Sequence, residues 1–223
     1  MGPKRFVEPA LKVDELPPID IIVISHNHYD HLDGPTIDAL PGKDRITVVV
    51  PLGLGDFFRQ RGYTRVHEVD WHQSVTVGAI EVTVLPVVHG SARGIFDRND
   101  DLWAGYSLAS PARRVFVSGD TGYGPVFREL GDRYGPFDLG LVAIGGYEPR
   151  LLMNAVHVTP EEALRLSRDL RIDTVVGMSW GTIQLTDEPI MEPAERFRAD
   201  GRATGWEDDR LWVKKVGETR RLD

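Results

Sequence analysis

Short apolar runs alternate along most of this chain with polar breaks marked by glycine and proline, and several runs are too short for typical helices. Residues 19–25 are rich in β-branched side chains and predict a buried strand, as do 46–50 and 172–178. Residues 75–77 and 80–85 predict a hairpin turning at Gly78-Ala79, and 103–109, 115–117 and 139–144 read as further strands. Helices are predicted where start and stop residues bracket a run. Gly34-Pro35 opens one that Pro41-Gly42 stops, and Gly62 ends another over 53–61. Two more cover 125–134 and 160–170, the second capped by Thr159 with Glu162 three residues on. Pro3, Pro9, Pro17 and Pro18 make 1–18 an extended arm, not a helix. Residues 193–223 read as a C-terminal tail with a late strand at 211–213, after a solvated turn at Glu207-Asp208-Asp209. No linker or repeat interrupts the pattern, so the prediction is one α/β domain over 1–223 with at least partly antiparallel sheets.

Composition narrows the chemistry. The chain has no cysteine, which excludes disulfides, thiolate metal sites and cysteine nucleophiles and leaves His, Asp and Glu as the ligand pool. With 26 Lys and Arg against 34 Asp and Glu, the net charge of -8 gives no general attraction for nucleic acid. No apolar run reaches the length of a transmembrane segment. The first nine residues lack the apolar core of a signal peptide, so a cytoplasmic location is expected. The five tryptophans are expected in core or rim packing.

The strand predicted over 19–25 runs straight into His26-Asn27-His28-Tyr29-Asp30-His31, which holds three of the seven histidines and a carboxylate within six residues. Imidazole and carboxylate suit zinc, iron or manganese without a thiol, and neighbouring imidazoles with no shared ion would repel once protonated. The same layout recurs down the chain. A predicted strand delivers His89 after Val87-Val88, another ends at Asp120, and a third ends at Ser179. Ligands at strand ends are held by a rigid sheet, which suits a preorganised metal site.

With these stretches Gly119-Asp120-Thr121-Gly122-Tyr123, Ile144-Gly145-Gly146-Tyr147-Glu148-Pro149-Arg150, His157-Val158-Thr159-Pro160 and Trp180-Gly181-Thr182, the chain resembles the metallo-β-lactamase-fold hydrolases. Within them it is most similar to the N-acylphosphatidylethanolamine-hydrolysing phospholipase D group. The resemblance implies an αββα sandwich of two mixed sheets, N-terminally shortened, because strands that family members carry ahead of the arm are missing here. It implies a two-metal centre, zinc or else manganese or iron. His26, His28 and His89 would bind the first ion, Asp30 and His31 the second, and Asp120 would bridge them. A metal-bound hydroxide would attack a phosphodiester, one from an N-acylphosphatidylethanolamine-like phospholipid, with Asp30, Asp120 and His157 as catalytic residues. The family's last histidine ligand is replaced by Ser179, whose neutral hydroxyl is a poor ligand beside imidazole. One firmly held zinc and a weak or empty second site are therefore expected, with lowered activity. Two other readings stay open: a lactonase or other small-molecule hydrolase on the same fold, and an impaired metal-binding remnant. Expected partners are a small-molecule or phospholipid substrate and no nucleic acid, with a homo-oligomer left open.

Overall fold

Residues 47–51 pack on both sides of one strand, because successive side chains of a strand point to opposite faces. Val48 and Val50 join one buried cluster with Leu32, Ile37, Leu54 and Phe58, while Val49 joins another with Val69, Val82, Val84, Ala104 and Tyr106. This strand, β2 (Thr47–Pro51), is the centre of one of two compact units seen in the computed structural model, which describes residues 5–222.

The first unit spans 12–119. It opens with a single 3₁₀ turn at Val13–Glu15 inside what the prolines predicted as a plain arm; residues 1–4 of that arm lie outside the described residues. Then follow β1 (Ile21–Val23), α1 (Gly34–Ala39), β2, α2 (Gly55–Arg59) and β3 (Arg65–Val69). The strands β1, β2 and β3 form a parallel sheet in that order. Next come β4 (Ser74–Val77), β5 (Ile80–Leu85), β6 (Gly105–Ala109) and β7 (Arg114–Val117), paired antiparallel in sequence. The hairpin turn falls where expected, with Val77 opposite Ile80 and Gly78 at φ +60°, a left-handed conformation that glycine adopts without cost.

Two details differ from the sequence pattern. The strand at 19–25 is shorter and only half-buried, and α2 covers less than the predicted 53–61. The strand β3 was not predicted, because Arg65, His67 and Glu68 leave only Val66 and Val69 as its apolar residues.

The second unit holds 120–222 with 5–11. Its elements are α3 (Val126–Tyr134), β8 (Phe137–Ala143), α4 (Arg150–Met153), α5 (Pro160–Asp169), β9 (Ile172–Met178), α6 (Glu192–Ala203) and β10 (Leu211–Trp212). The strands β8, β9 and β10 run parallel, with Phe137 opposite Ile172 and Leu211 opposite Val175. The predicted cap of α5 is present in both directions: Thr159 Oγ1 accepts from Glu162 N, and Glu162 Oε2 accepts from Thr159 N at 2.9 Å. Where only a tail was predicted over 193–223, its first part is the helix α6. The late strand is present, two residues long. Among the described residues, no helix is long and apolar enough to cross a membrane.

Helices α5 and α6 are clasped by Arg196, whose guanidinium donates to both Glu161 oxygens at 2.9 and 2.8 Å and to Glu192 at 3.2 Å. Burial opposes ionisation of Glu161, but hydrogen bonds from Arg196, from its own backbone N–H and from Thr159, with the Arg196 charge, together outweigh it and hold its carboxyl below the usual range. A depressed folded-state pKa stabilises above the unfolded carboxylate value, about 4.3, and that contribution is lost as pH falls through the folded value. Both partners are partly exposed, so water screens the pair. Arg196→Ala is therefore expected to cost roughly 1 kcal/mol or less at pH 7, with the gap to wild type closing below about pH 4. Urea midpoints at the two pH values check this.

Candidate metal centre

The loop 26–31 leaves β1 along a path fixed by hydrogen bonds. Tyr106 Oη donates to Ile24 O at 2.6 Å, and Ala104 N donates to Ser25 O at 2.8 Å. Burial pushes the Tyr106 phenol above its ordinary pKa, so it stays a neutral donor. At the far end of the loop, His31 N and Leu32 N both donate to His28 O. A second loop braces the first from the side. Arg93 Nη1 donates to Asn27 O at 2.8 Å and Leu32 O at 2.7 Å, and Asn27 Nδ2 donates to Asp101 Oδ2 at 2.7 Å.

On this frame three imidazoles converge. His26 is 1% exposed, and its Nε2 lies 2.8 Å from His28 Nδ1. His89 Nε2 lies 3.4 Å from the same His28 Nδ1. One ligand nitrogen from each of the three lies within 4.8 Å of the other two. A tetrahedral ion with bonds of about 2.0–2.1 Å keeps nitrogen ligands roughly 3.3 Å apart. The observed 2.8 and 3.4 Å bracket that spacing, so this donor set could hold a divalent metal. Ser25 Oγ, 3.0 Å from His26 Nδ1, fixes the ring through its other nitrogen, the usual arrangement behind a ligating histidine.

The other sequence-predicted residues are placed as follows. His31 belongs to the same cluster, its ring centroid 4.3 Å from that of His26, and its Nε2 lies 3.4 Å from Asp30 Oδ2. In the second unit, Asp120 is buried and its Oδ2 lies 3.9 Å from His157 Nδ1. Gly146, at φ +85°, packs on that imidazole: a Cβ there would lie 3.0 Å from His157 Nδ1. Glu188 is buried and accepts from Gly146 N at 2.6 Å and Glu148 N at 3.1 Å, so it holds the loop that walls His157. Arg150 Nη1 donates to His157 O at 2.7 Å. Ser179 follows β9 with φ +55°.

Ser25, Arg93, Asp101, Gly146 and Glu188 support the candidate residues and were not predicted. Ser25 ends the strand predicted over 19–25, and Gly146 lay inside one of the quoted stretches. Arg93, Asp101 and Glu188 act from loops distant in sequence.

A family model described as the β-lactamase superfamily domain matches residues 1–180. The chain is 41% identical over 205 residues to an uncharacterised protein of Mycobacterium tuberculosis, covering 89% of this chain and 54% of that protein. It is 36% identical over 209 residues to N-acyl-phosphatidylethanolamine-hydrolyzing phospholipase D 1 of Caenorhabditis elegans, covering 88% and 59%. The chain thus spans about half the length of these curated relatives. Among solved structures, isothiocyanate hydrolase from Delia radicum gut bacteria superposes with a TM-score of 0.73 at 17% identity, covering all of this chain and 85% of that one.

Proposed function

Since the chain belongs to the β-lactamase superfamily and has its metallo-β-lactamase fold, we propose that it is a metal-dependent hydrolase that cleaves a phosphodiester, that of an N-acylphosphatidylethanolamine-like phospholipid. The observation that carries the reading is the convergence of one ring nitrogen each from His26, His28 and His89 to within 4.8 Å of one another, a donor set that could hold a divalent ion. The substrate class is supported by the 36% identity to the C. elegans phospholipase D.

In this reading His26, His28 and His89 hold the first ion, and Asp30 and His31 serve a second, weaker one. The ion is zinc, with manganese or iron as alternatives, and when bound it supplies Lewis-acid polarisation of the phosphate and activation of water at neutral pH. The chain's own residues do the rest. Ser25 keeps the His26 ring in one orientation, and Arg93 with Asp101 keeps the loop backbone from moving as substrate enters. The roles that the motif gives Asp120, as ligand and catalytic carboxylate, and His157 belong to the same proposal. His157, steadied by the Gly146 wall and by Arg150, orients the phosphate or gives a proton from Nε2 to the leaving-group oxygen.

Ser179 is the observation that favours a weak second ion. A hydroxyl there is a poor ligand, whereas histidine tolerates the left-handed backbone at φ +55° better than most residues. The test is metal content and hydrolysis of bis-p-nitrophenyl phosphate and of a phospholipid, with zinc or manganese added. Wild type is expected to hold one firm ion per chain and to hydrolyse both diesters slowly. Ser179→His is expected to raise occupancy towards two and to speed turnover. Two tightly held ions in wild type would overturn the assignment at Ser179. Hydrolysis of neither diester with either metal would overturn the function.

A further inference from the structure

The loop over 90–101 ends in a tip that buries nothing. Ile95 and Phe96, consecutive in sequence, are 89% and 95% exposed. Single exposed apolar side chains are ordinary, but two large ones side by side on a pinned turn are not. Here the turn is pinned: the Asp97 carboxylate accepts from Arg93 N at 3.0 Å and Gly94 N at 2.8 Å, and Asn99 N donates to Ser91 O at 2.8 Å. The same Arg93 grips the histidine loop, and its guanidinium lies 4.1 Å from the ring centre of Tyr29, itself exposed. The chain therefore spends ordered structure on presenting an aliphatic and an aromatic side chain to solvent beside the candidate metal centre.

We propose that the Ile95-Phe96 tip is an interfacial wedge that seats this chain on a bilayer of zwitterionic phospholipids. The proposal builds on the phospholipid reading of the metal centre and adds how substrate is reached. Charge selects the occupant: at a net charge of -8 an anionic surface repels the chain, so apolar insertion has to supply the binding. A second copy is a poorer fit. An aromatic side chain buries roughly 150–250 Å². Adding one aliphatic neighbour leaves the tip far short of the roughly 800 Å² per partner of a stable interface.

The experiment is flotation of the 223-residue chain with phosphatidylcholine vesicles, for wild type and Ile95→Ser/Phe96→Ser, with light scattering of both. Wild type is expected to float with the vesicles, and the double variant to partition roughly tenfold or more less. Both side chains are exposed, so circular dichroism and turnover of the soluble diester should be unchanged in the variant. Equal partitioning of the two proteins, or no flotation of wild type, overturns the wedge. So does a wild-type dimer that the double substitution dissociates while vesicle binding is absent. Flotation needs no turnover, so loss of the wedge with metal-dependent hydrolysis intact is distinct from failure of the hydrolase reading.

Discussion

His28→Ala is expected to abolish firm metal binding and to lower diester hydrolysis by at least about 10²-fold. The size follows from position. His28 Nδ1 is the nitrogen that both neighbours face, at 2.8 Å from His26 Nε2 and 3.4 Å from His89 Nε2. Removing it leaves two imidazoles of the three, too few for a closed divalent site. The fold should survive, because the bonds that shape the loop here, from His31 N and Leu32 N, go to the His28 carbonyl, which alanine keeps. A ligand that binds only the folded state stabilises it by RT ln(1 + [L]/Kd). Zinc should therefore raise the melting temperature of wild type and leave that of the variant where it was. His67→Ala, on the exposed side of β3, is the control and should behave as wild type in both assays. Full metal content and unchanged hydrolysis in His28→Ala would remove the basis of the proposed function.

What could be read from the sequence divides by where the information lies. The strands β2 and β9 and the helix α5 were legible because each carries its own signal: a β-branched stretch (Thr47 to Val50, Thr174 to Val176), or a Thr159 to Glu162 capping box. The histidine cluster was legible for the same reason, being local in the chain. The helix α6 was not. Its buried face is Pro193, Ala194, Phe197 and Gly201, so only one large apolar residue stands in twelve. Gly201 is there because Leu211 packs directly on it, a fact of tertiary contact that no window of sequence contains. The strand β3 escaped similarly, its place set by pairing with β2 more than by its own composition. The supports of the candidate site follow the same rule. Arg93 and Asp101 reach back more than sixty residues to the histidine loop, and Glu188 reaches about forty to the Gly146 loop.

Gly119→Ala tests whether such distant packing sets the histidine geometry. Gly119 sits at φ +60°, and a Cβ there would lie 2.5 Å from Ser25 Cβ, 3.0 Å from Ser25 Oγ and 3.2 Å from Ala104 O. The left-handed backbone costs alanine about 1–2 kcal/mol. Overpacking against a Cβ and a backbone oxygen, neither able to swing aside, adds about 1–3 kcal/mol. A total loss of roughly 2–5 kcal/mol is expected from urea denaturation. Function should fall as well, since Ser25 Oγ is what fixes His26 Nδ1 at 3.0 Å, and loss of such a support costs about 10–100-fold in metal affinity. The two costs can be separated. Ser25→Gly removes the two closest obstructing atoms and leaves only Ala104 O at 3.2 Å, so in that background Gly119→Ala should cost the backbone term plus a smaller strain against that oxygen. The double-mutant cycle should then show coupling of about 1–3 kcal/mol. Additive effects would mean that Gly119 is required for its backbone conformation alone, and that the close approach to Ser25 does not position His26.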